Sequence, residues 1–264
     1  MKIKDYLDKN YDISLIALTY LLDTNKSSVI LRSEEEIEDK VSSKLDDILA
    51  RYNKGYPLQY AIGEWEFYGL NFKVDERALI PRFETEIILD FLVKSSYKKD
   101  KILDIGTGSG AIAISLGKNL PASEIVGSDI EDKALSLSQE NKERLKASNV
   151  SFIKSDLFEE ISEKFDIIIS NPPYINQTDY DKLDERLYHE PKSALLASED
   201  GLYFYRRIIK EANSYLNDGG RLVFEIGYDQ KQRICELLNE SDFKNIKSMK
   251  DYNDFDRFII AEKG

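Results

Sequence analysis

From Glu84 onward the chain alternates short β-branched runs with amphipathic helical stretches, and this alternation constrains the fold more than any other feature. The runs "KILDIG", "EIVGSDI", "VSFIKSD", "FDIIIS" and "RLVFEIG" are each bounded by turn residues, and helical segments such as "GAIAISLGKNL" and "KALSLSQENKERL" stand between most of them. Strands separated by helices pair in parallel through crossovers, which lay helices on both faces of one sheet. A run as uniformly apolar as "DIIIS" fits a strand buried on both sides. With two closing strands near 243–248 and 257–262, the expected architecture is an α/β, Rossmann-like sheet of seven mostly parallel strands.

Two other regions precede it. Residues 1–55 read as helices only: "ISLIALTYLL" is one, and Val41, Leu45, Ile48, Leu49 and Tyr52 recur at helical spacing in another. Residues 56–83 are rich in aromatics, with "YG" between two short runs, and read as a β-hairpin linker. The α/β domain is then 84–264. The longest apolar run is too short to span a bilayer, and its acidic flank (Asp5, Asp8, Asp12) is unlike a signal peptide. One cysteine and one histidine leave neither an internal disulfide nor a Cys/His metal site, so a cytoplasmic chain without metal is expected. The formal charge of −12 is spread over both halves, which disfavours direct nucleic-acid contact, because such affinity comes mainly from cationic groups that release counterions.

"DIGTGSGA" turns the first strand of the α/β domain into its first helix. Gly106, Thr107, Gly108, Ser109 and Gly110 let backbone approach a ligand that side chains would repel, but the spacing alone fits dinucleotides and other adenosine cofactors equally. Asp129 ends the second strand, placed to accept from a ribose diol. Asp156 ends the third, placed to accept from an adenine amine, with Leu157 packing on the ring.

The fourth strand runs straight into "NPPY", Asn171 to Tyr174. Strands of an open parallel sheet present functional groups at their carboxyl ends, so this motif is aimed at the cofactor pocket. Each proline forces the preceding residue into extended geometry and removes a backbone donor. The result is a rigid acceptor site in which the Asn171 side-chain oxygen and the Pro172 carbonyl each take one hydrogen of a planar NH2 group. Pro173 stiffens the turn, and Tyr174 offers a flat ring. Such a site suits methyl transfer from a sulfonium onto an amide or aromatic amine: positioning carries most of the rate, and no strong base is needed. Asn171 is placed to touch the methyl donor as well.

With these residues assembled, the chain resembles the bacterial protein-(glutamine-N5) methyltransferases that modify peptide release factors. The segments "GYPLQYAIGEWEFYGLNFKV", "LIPRFETE", "LDIGTGSGAIAISL", "SNPPYI", "HEPKSALLASEDGLYFYRRI" and "GGRLVFEIGYDQ" follow that family in order. The resemblance implies a class I methyltransferase sheet using S-adenosyl-L-methionine and releasing S-adenosyl-L-homocysteine. It further implies a helical N-terminal domain for substrate recognition and, as substrate, the glutamine of the Gly-Gly-Gln loop of release factors. By motif match, Gly106 to Gly110 and Asp129 hold the cofactor, and Asn171 to Tyr174 hold the glutamine amide. One departure is visible: Phe83 stands where the family usually has a second proline.

A methyltransferase of nucleic-acid amines, such as the N6 of adenine, presents the same planar NH2 and is the alternative reading. A nicotinamide oxidoreductase would leave "NPPY" unexplained. His189 is assigned a structural role, Glu190 with Pro191 shapes the loop after the acceptor motif, and Trp65, Phe67, Phe72 and Cys235 are read as packing residues.

Overall fold

The computed structural model describes residues 1–198 and 200–264. The chain forms two compact units, one of Met1–Trp65 with Asp184–His189 and one of Glu66–Leu183 with Glu190–Gly264.

In the first unit, α1 (Ile3–Leu7), α2 (Tyr11–Leu21), α3 (Lys26–Leu31), α4 (Asp39–Asn53) and α5 (Leu58–Ile62) surround a core that includes Tyr6, Leu18, Val29 and Leu45. Asn25 caps α3 by accepting from the Ser28 N–H at 2.9 Å, a start signal of the usual kind. The Tyr6 hydroxyl and the Ser42 hydroxyl share a 2.6 Å hydrogen bond, which ties α1 to α4. Residues 184–189 join this unit through rings and cations: the Arg186 guanidinium lies 4.8 Å from the Tyr52 ring centre, and His189 meets Tyr56 edge-on at 5.0 Å.

The stretch read as a hairpin linker opens on α5, which follows Pro57 and stops at Gly63 (φ 84°), the punctuation expected of a short helix. The ribbon itself is β1 (Glu64–Phe67) and β2 (Leu70–Lys73). Tyr68 and Gly69, at φ 50° and 71°, both adopt the left-handed backbone that a tight two-residue hairpin turn requires. Phe67 and Phe72 are buried and meet edge to face at 6.1 Å, as packing residues should. Trp65 stacks on Tyr20 at 5.8 Å.

The second unit carries α6 (Thr85–Lys94), β3 (Lys101–Ile105), α7 (Ala111–Asn119), β4 (Glu124–Asp129), α8 (Asp132–Leu145), β5 (Val150–Lys154), β6 (Phe165–Ser170), α9 (Gln177–Tyr180), α10 (Lys192–Leu195), α11 (Tyr203–Tyr215), β7 (Leu216–Glu225), α12 (Lys231–Glu240), β8 (Lys244–Lys250) and β9 (Asp256–Glu262). Seven strands form one sheet in the order β5-β4-β3-β6-β7-β9-β8, parallel except where β9 runs against both its neighbours. Every residue of β6 is buried, which is why "FDIIIS" lacks polar alternation. Its one acid, Asp166, lies at the entry end and is satisfied by the Asn217 amide at 2.8 Å and the Lys101 N–H at 3.1 Å. A core including Leu103, Ile168, Tyr205, Leu222, Phe224 and Ile234 fills the space beside the sheet. Among the described residues no helix is long and apolar enough to cross a membrane.

Candidate active site

The topology brings four loops to one edge. The chain leaves β3 for β4 and β5 on one side, then returns to β6 on the other, and such a switch point opens a crevice at the carboxyl ends of the strands. Register fixes what faces what. Ile105 pairs with both Ser128 and Ser170, so Gly106 follows on one strand where Asn171 follows on the next. Asp129 pairs with Lys154, which puts Ser155 and Asp156 at the same edge.

A cavity of about 410 Å³ occupies this crevice, its walls including Gly106, Gly108, Asp129, Asp156, Leu157 and Asn171. Gly106 and Gly108 have φ of 73° and 57°, and a Cβ on Gly106 would meet nothing within 4 Å, so the backbone here is bare and faces open space. Gly110 serves a different purpose: a Cβ there would lie 3.0 Å from Ile114, Phe152 and Ser138, so its absence lets α7 pack. Asp129 shapes the loop as well as facing the cavity. Its Oδ2 accepts from the Gly108 N–H at 2.9 Å and its Oδ1 from the Glu131 N–H at 3.0 Å. A carboxylate has about four lone-pair sites, so each oxygen retains capacity for a ligand hydroxyl. Desolvation raises the Asp129 pKa, and the two backbone donors oppose that rise. Asp156 accepts from the Arg207 guanidinium at 2.9 Å, and Leu157, at φ 53°, turns the chain beside it.

The NPPY turn is held at both ends. The Ser170 hydroxyl donates to the Ile105 carbonyl at 2.8 Å, and the Gln230 amide donates to the Tyr174 carbonyl at 3.0 Å. Gln230 in turn accepts from the Gly227 N–H at 2.9 Å, which gives "GYDQ" a structural purpose. A smaller cavity of about 60 Å³ lies on this side, walled by Phe67, Leu79, Pro81, Arg82, Thr85 and the glycine loop, and Asn171 lines it too. Asn171 is therefore common to both cavities.

Two buried acids stand close by. Asp104, at the end of β3, accepts from the Thr107 hydroxyl at 2.6 Å, and burial pushes its pKa up to about 7. Glu225, at the end of β7, accepts from the Thr85 hydroxyl at 2.6 Å and is likewise pushed up to about 7 by burial, with Arg257 opposing. Burial, then the Glu225 carboxylate, push the Tyr174 phenol up to about 12.

Of the residues singled out in the sequence, Gly106, Gly108, Asp129, Asp156, Leu157, Asn171, Pro172 and Pro173 line the larger cavity, and Thr107 and Ser109 line the smaller. Gly110 and Tyr174 line neither, and the partly buried Tyr174 ring packs against the core cluster. His189 lies against Tyr56 and lines neither cavity. Sequence reasoning missed Leu79, shared by both cavities, and Tyr203 and Arg207 on one face of α11. It also missed Arg77, held by Asp75 at 2.8 Å and Glu140 at 2.6 Å. The signal for these was their place inside the family-like segments "GYPLQYAIGEWEFYGLNFKV" to "LIPRFETE" and "LYFYRRI".

A mostly parallel sheet with a bare glycine loop, a carboxylate lining the crevice and an NPPY turn beside it is the arrangement of a class I methyltransferase domain. The methyltransferase small domain family matches residues 83–201, and the PrmC N-terminal domain matches residues 10–63. A release factor glutamine methyltransferase of Fusobacterium nucleatum is 41% identical over 98% of this chain and 80% of its own. That of Clostridium acetobutylicum is 36% identical over 100% of this chain and 99% of its own. The chain belongs to the release factor glutamine methyltransferase family. Among solved structures, a methyltransferase from Pyrococcus furiosus superposes with a TM-score of 0.58 at 20% identity, covering 84% of this chain and 99% of that one. The hMettl16 catalytic domain, solved with an RNA hairpin, reaches 0.60 at 15% identity, over 86% of this chain and 83% of that one, and supports the fold alone.

Proposed function

We propose that this chain transfers a methyl group from S-adenosyl-L-methionine to the side-chain amide nitrogen, N5, of the glutamine in the Gly-Gly-Gln loop of peptide chain release factors. The observation that carries the reading is the position of Asn171, which lines both the cofactor-sized cavity and the smaller one beside it. The bare glycines and the Asp129 and Asp156 carboxylates suit a cofactor with a ribose diol, an adenine and a cationic centre. The cofactor supplies an electrophilic methyl on a sulfonium.

The remaining work falls to the chain. The Asn171 oxygen and the Pro172 carbonyl each accept one hydrogen of the glutamine NH2, which turns the nitrogen lone pair toward the methyl. With the cofactor bound, methyl transfer would leave S-adenosyl-L-homocysteine and a strongly acidic N-methylated amide, whose extra proton would pass to solvent. Orientation of this kind is worth effective molarities of about 10⁵ M or more, so a chain with a single histidine needs no base. Tyr174 is assigned to holding the turn from behind, and Gly110 to packing α7. The helical unit engages the body of the release factor. The reaction is cytoplasmic, without metal, membrane or direct nucleic-acid contact.

The test is to incubate the protein with labelled S-adenosyl-L-methionine and a purified release factor, then map the methyl by peptide mass spectrometry. Label on any residue other than that glutamine refutes the assignment. The nucleic-acid amine alternative predicts label on an oligonucleotide instead, and family membership does not favour it.

A further inference from the structure

The large apolar side chains left exposed on the second unit are not scattered. Among the described residues they are Phe83, Ile130, Tyr203, Tyr228, Tyr252 and Phe255. Ile130 and Tyr203 line the larger cavity. The other four form two ring pairs: Phe83 stacks on Tyr252 at 5.5 Å between centroids, and Tyr228 leans on Phe255 at 5.9 Å.

Their placement follows from topology. Tyr228 lies just past the end of β7, and Phe255 just before β9; Glu225 pairs with Phe258, so both belong to the sheet edge that carries Asn171. Phe83 directly follows Arg82, a wall of the smaller cavity. The turn that presents Tyr252 and Phe255 is built firmly. Buried Asp251 accepts from the Asn253 N–H at 2.9 Å, the Phe255 N–H at 3.1 Å and Arg257 Nε at 3.0 Å. The turn thus holds two aromatic rings exposed, Tyr252 at 73% and Phe255 at 51%.

We infer that Phe83, Tyr228, Tyr252 and Phe255 form a docking rim for the main chain of the release-factor loop that delivers the glutamine. This rests on the function proposed above. A glutamine amide that reaches Asn171 through the smaller cavity brings its own loop across the rim that continues from Arg82. Flat rings suit flat peptide groups, most closely where the loop residues carry no side chain to hold them apart. A single-stranded nucleic acid also stacks on aromatic rings, but it needs cationic groups along its backbone, and this chain carries a charge of −12. Phe83 in place of the family's usual proline supplies one of the four rings.

The experiment uses the full chain, a purified release factor and S-adenosyl-L-methionine, and measures both direct binding of the release factor and initial-rate kinetics. All four side chains are exposed, so Phe83→Ser, Tyr252→Ser and the double variant should fold. The double variant should weaken release-factor binding and raise its KM tenfold or more, with kcat within twofold and S-adenosyl-L-methionine affinity unchanged. Phe83→Tyr and Tyr252→Phe should keep KM within twofold. Unchanged binding in the double variant overturns the rim whether or not the wild type methylates. Loss of binding to a single-stranded RNA with release-factor KM unchanged also overturns it. If the wild type binds the release factor without methylating it, and the serine variants weaken that binding, the rim stands and the proposed function falls. If the wild type neither binds nor methylates, both fall.

Discussion

Glu190 is the residue whose removal should do most damage for its distance from the chemistry. Its side chain is 1% exposed, and it holds the segment before α6 at two points: Oε2 accepts from the Ile80 N–H at 2.9 Å and Oε1 from the Arg82 guanidinium at 2.7 Å. Pro81 forces Ile80 to be extended, which leaves the Ile80 N–H without a helical partner, and the carboxylate supplies one. Glu190→Ala deletes two charge-assisted hydrogen bonds, each worth about 1.5–3 kcal/mol. Arg82 is 30% exposed and recovers part of its loss from water, whereas the buried Ile80 N–H recovers none. The net loss is then about 3 kcal/mol, which for a unit of this size lowers Tm by roughly 6–12 °C. Because Pro81 and Arg82 wall the smaller cavity, kcat/KM for the release factor should also fall at least about tenfold, taking 1.36 kcal/mol per decade. Glu190→Gln keeps an acceptor for Ile80 and should recover more than half of the lost stability. Scanning calorimetry and initial rates provide the measurements. A Glu190→Ala protein that melts within 1 °C (about 0.3 kcal/mol) of wild type and keeps its activity refutes this reasoning.

Asn171→Ala leaves one amide hydrogen unpaired and should reduce kcat at saturating cofactor by about a hundredfold or more, while Asn171→Asp, which keeps an oxygen, should retain more activity; equal loss in both would show that the asparagine NH2 matters. Asp129→Ala removes a ligand acceptor and the anchor of the Gly108 N–H, so calorimetric titration should show S-adenosyl-L-methionine binding weakened by about 10- to 150-fold. Glu225 is pushed from its ordinary value to about 7, so between those two pH values the folded chain keeps a proton that the unfolded chain has released. Stability therefore falls as pH rises through that window and levels off above about 7, a loss of roughly 3 kcal/mol at most. Melting curves from pH 5 to 8.5 should slope downward, and Glu225→Gln should flatten them only in part, since Asp104 is raised to about 7 as well; an unchanged slope would remove Glu225 from this account.

The strands and the place of the NPPY turn were legible because burial on both faces writes itself as a continuous apolar run, and β6 is buried throughout. The glycine loop was legible as a loop, but the division of labour within it was not. Gly110 is filled around by Ile114, Phe152 and Ser138, neighbours that no spacing rule names. Tyr174 has surroundings that the motif does not announce: its ring packs on the core and its carbonyl is tied to Gln230. Glu190 and Ile80 are 110 positions apart, and their contact depends on how the loops fold back. The joining of Asp184–His189 to the helical unit was hidden too, because "DERLYH" is charged and reads as a solvated loop, while its cation and imidazole are spent on Tyr52 and Tyr56.

The pairing of Ile105 with Ser170 decides whether any of these residues can act together. A slip of one residue between β3 and β6 would carry Asn171 about 3.3 Å along the strand axis and turn its side chain to the other face of the sheet. Both cavities would then lose the Asn171 carboxamide from their walls. Three features oppose the slip. Ile167, Ile168 and Ile169 are buried on both faces, the Ser170 hydroxyl donates to the Ile105 carbonyl, and the prolines that follow cannot continue the ladder. The last of these also sets the end of the strand, because Pro172 has no N–H to extend the pairing past Asn171. The prolines that end the ladder thus fix where Asn171 stands at the crevice, which is why the motif belongs at the end of a fully buried strand rather than in a surface turn.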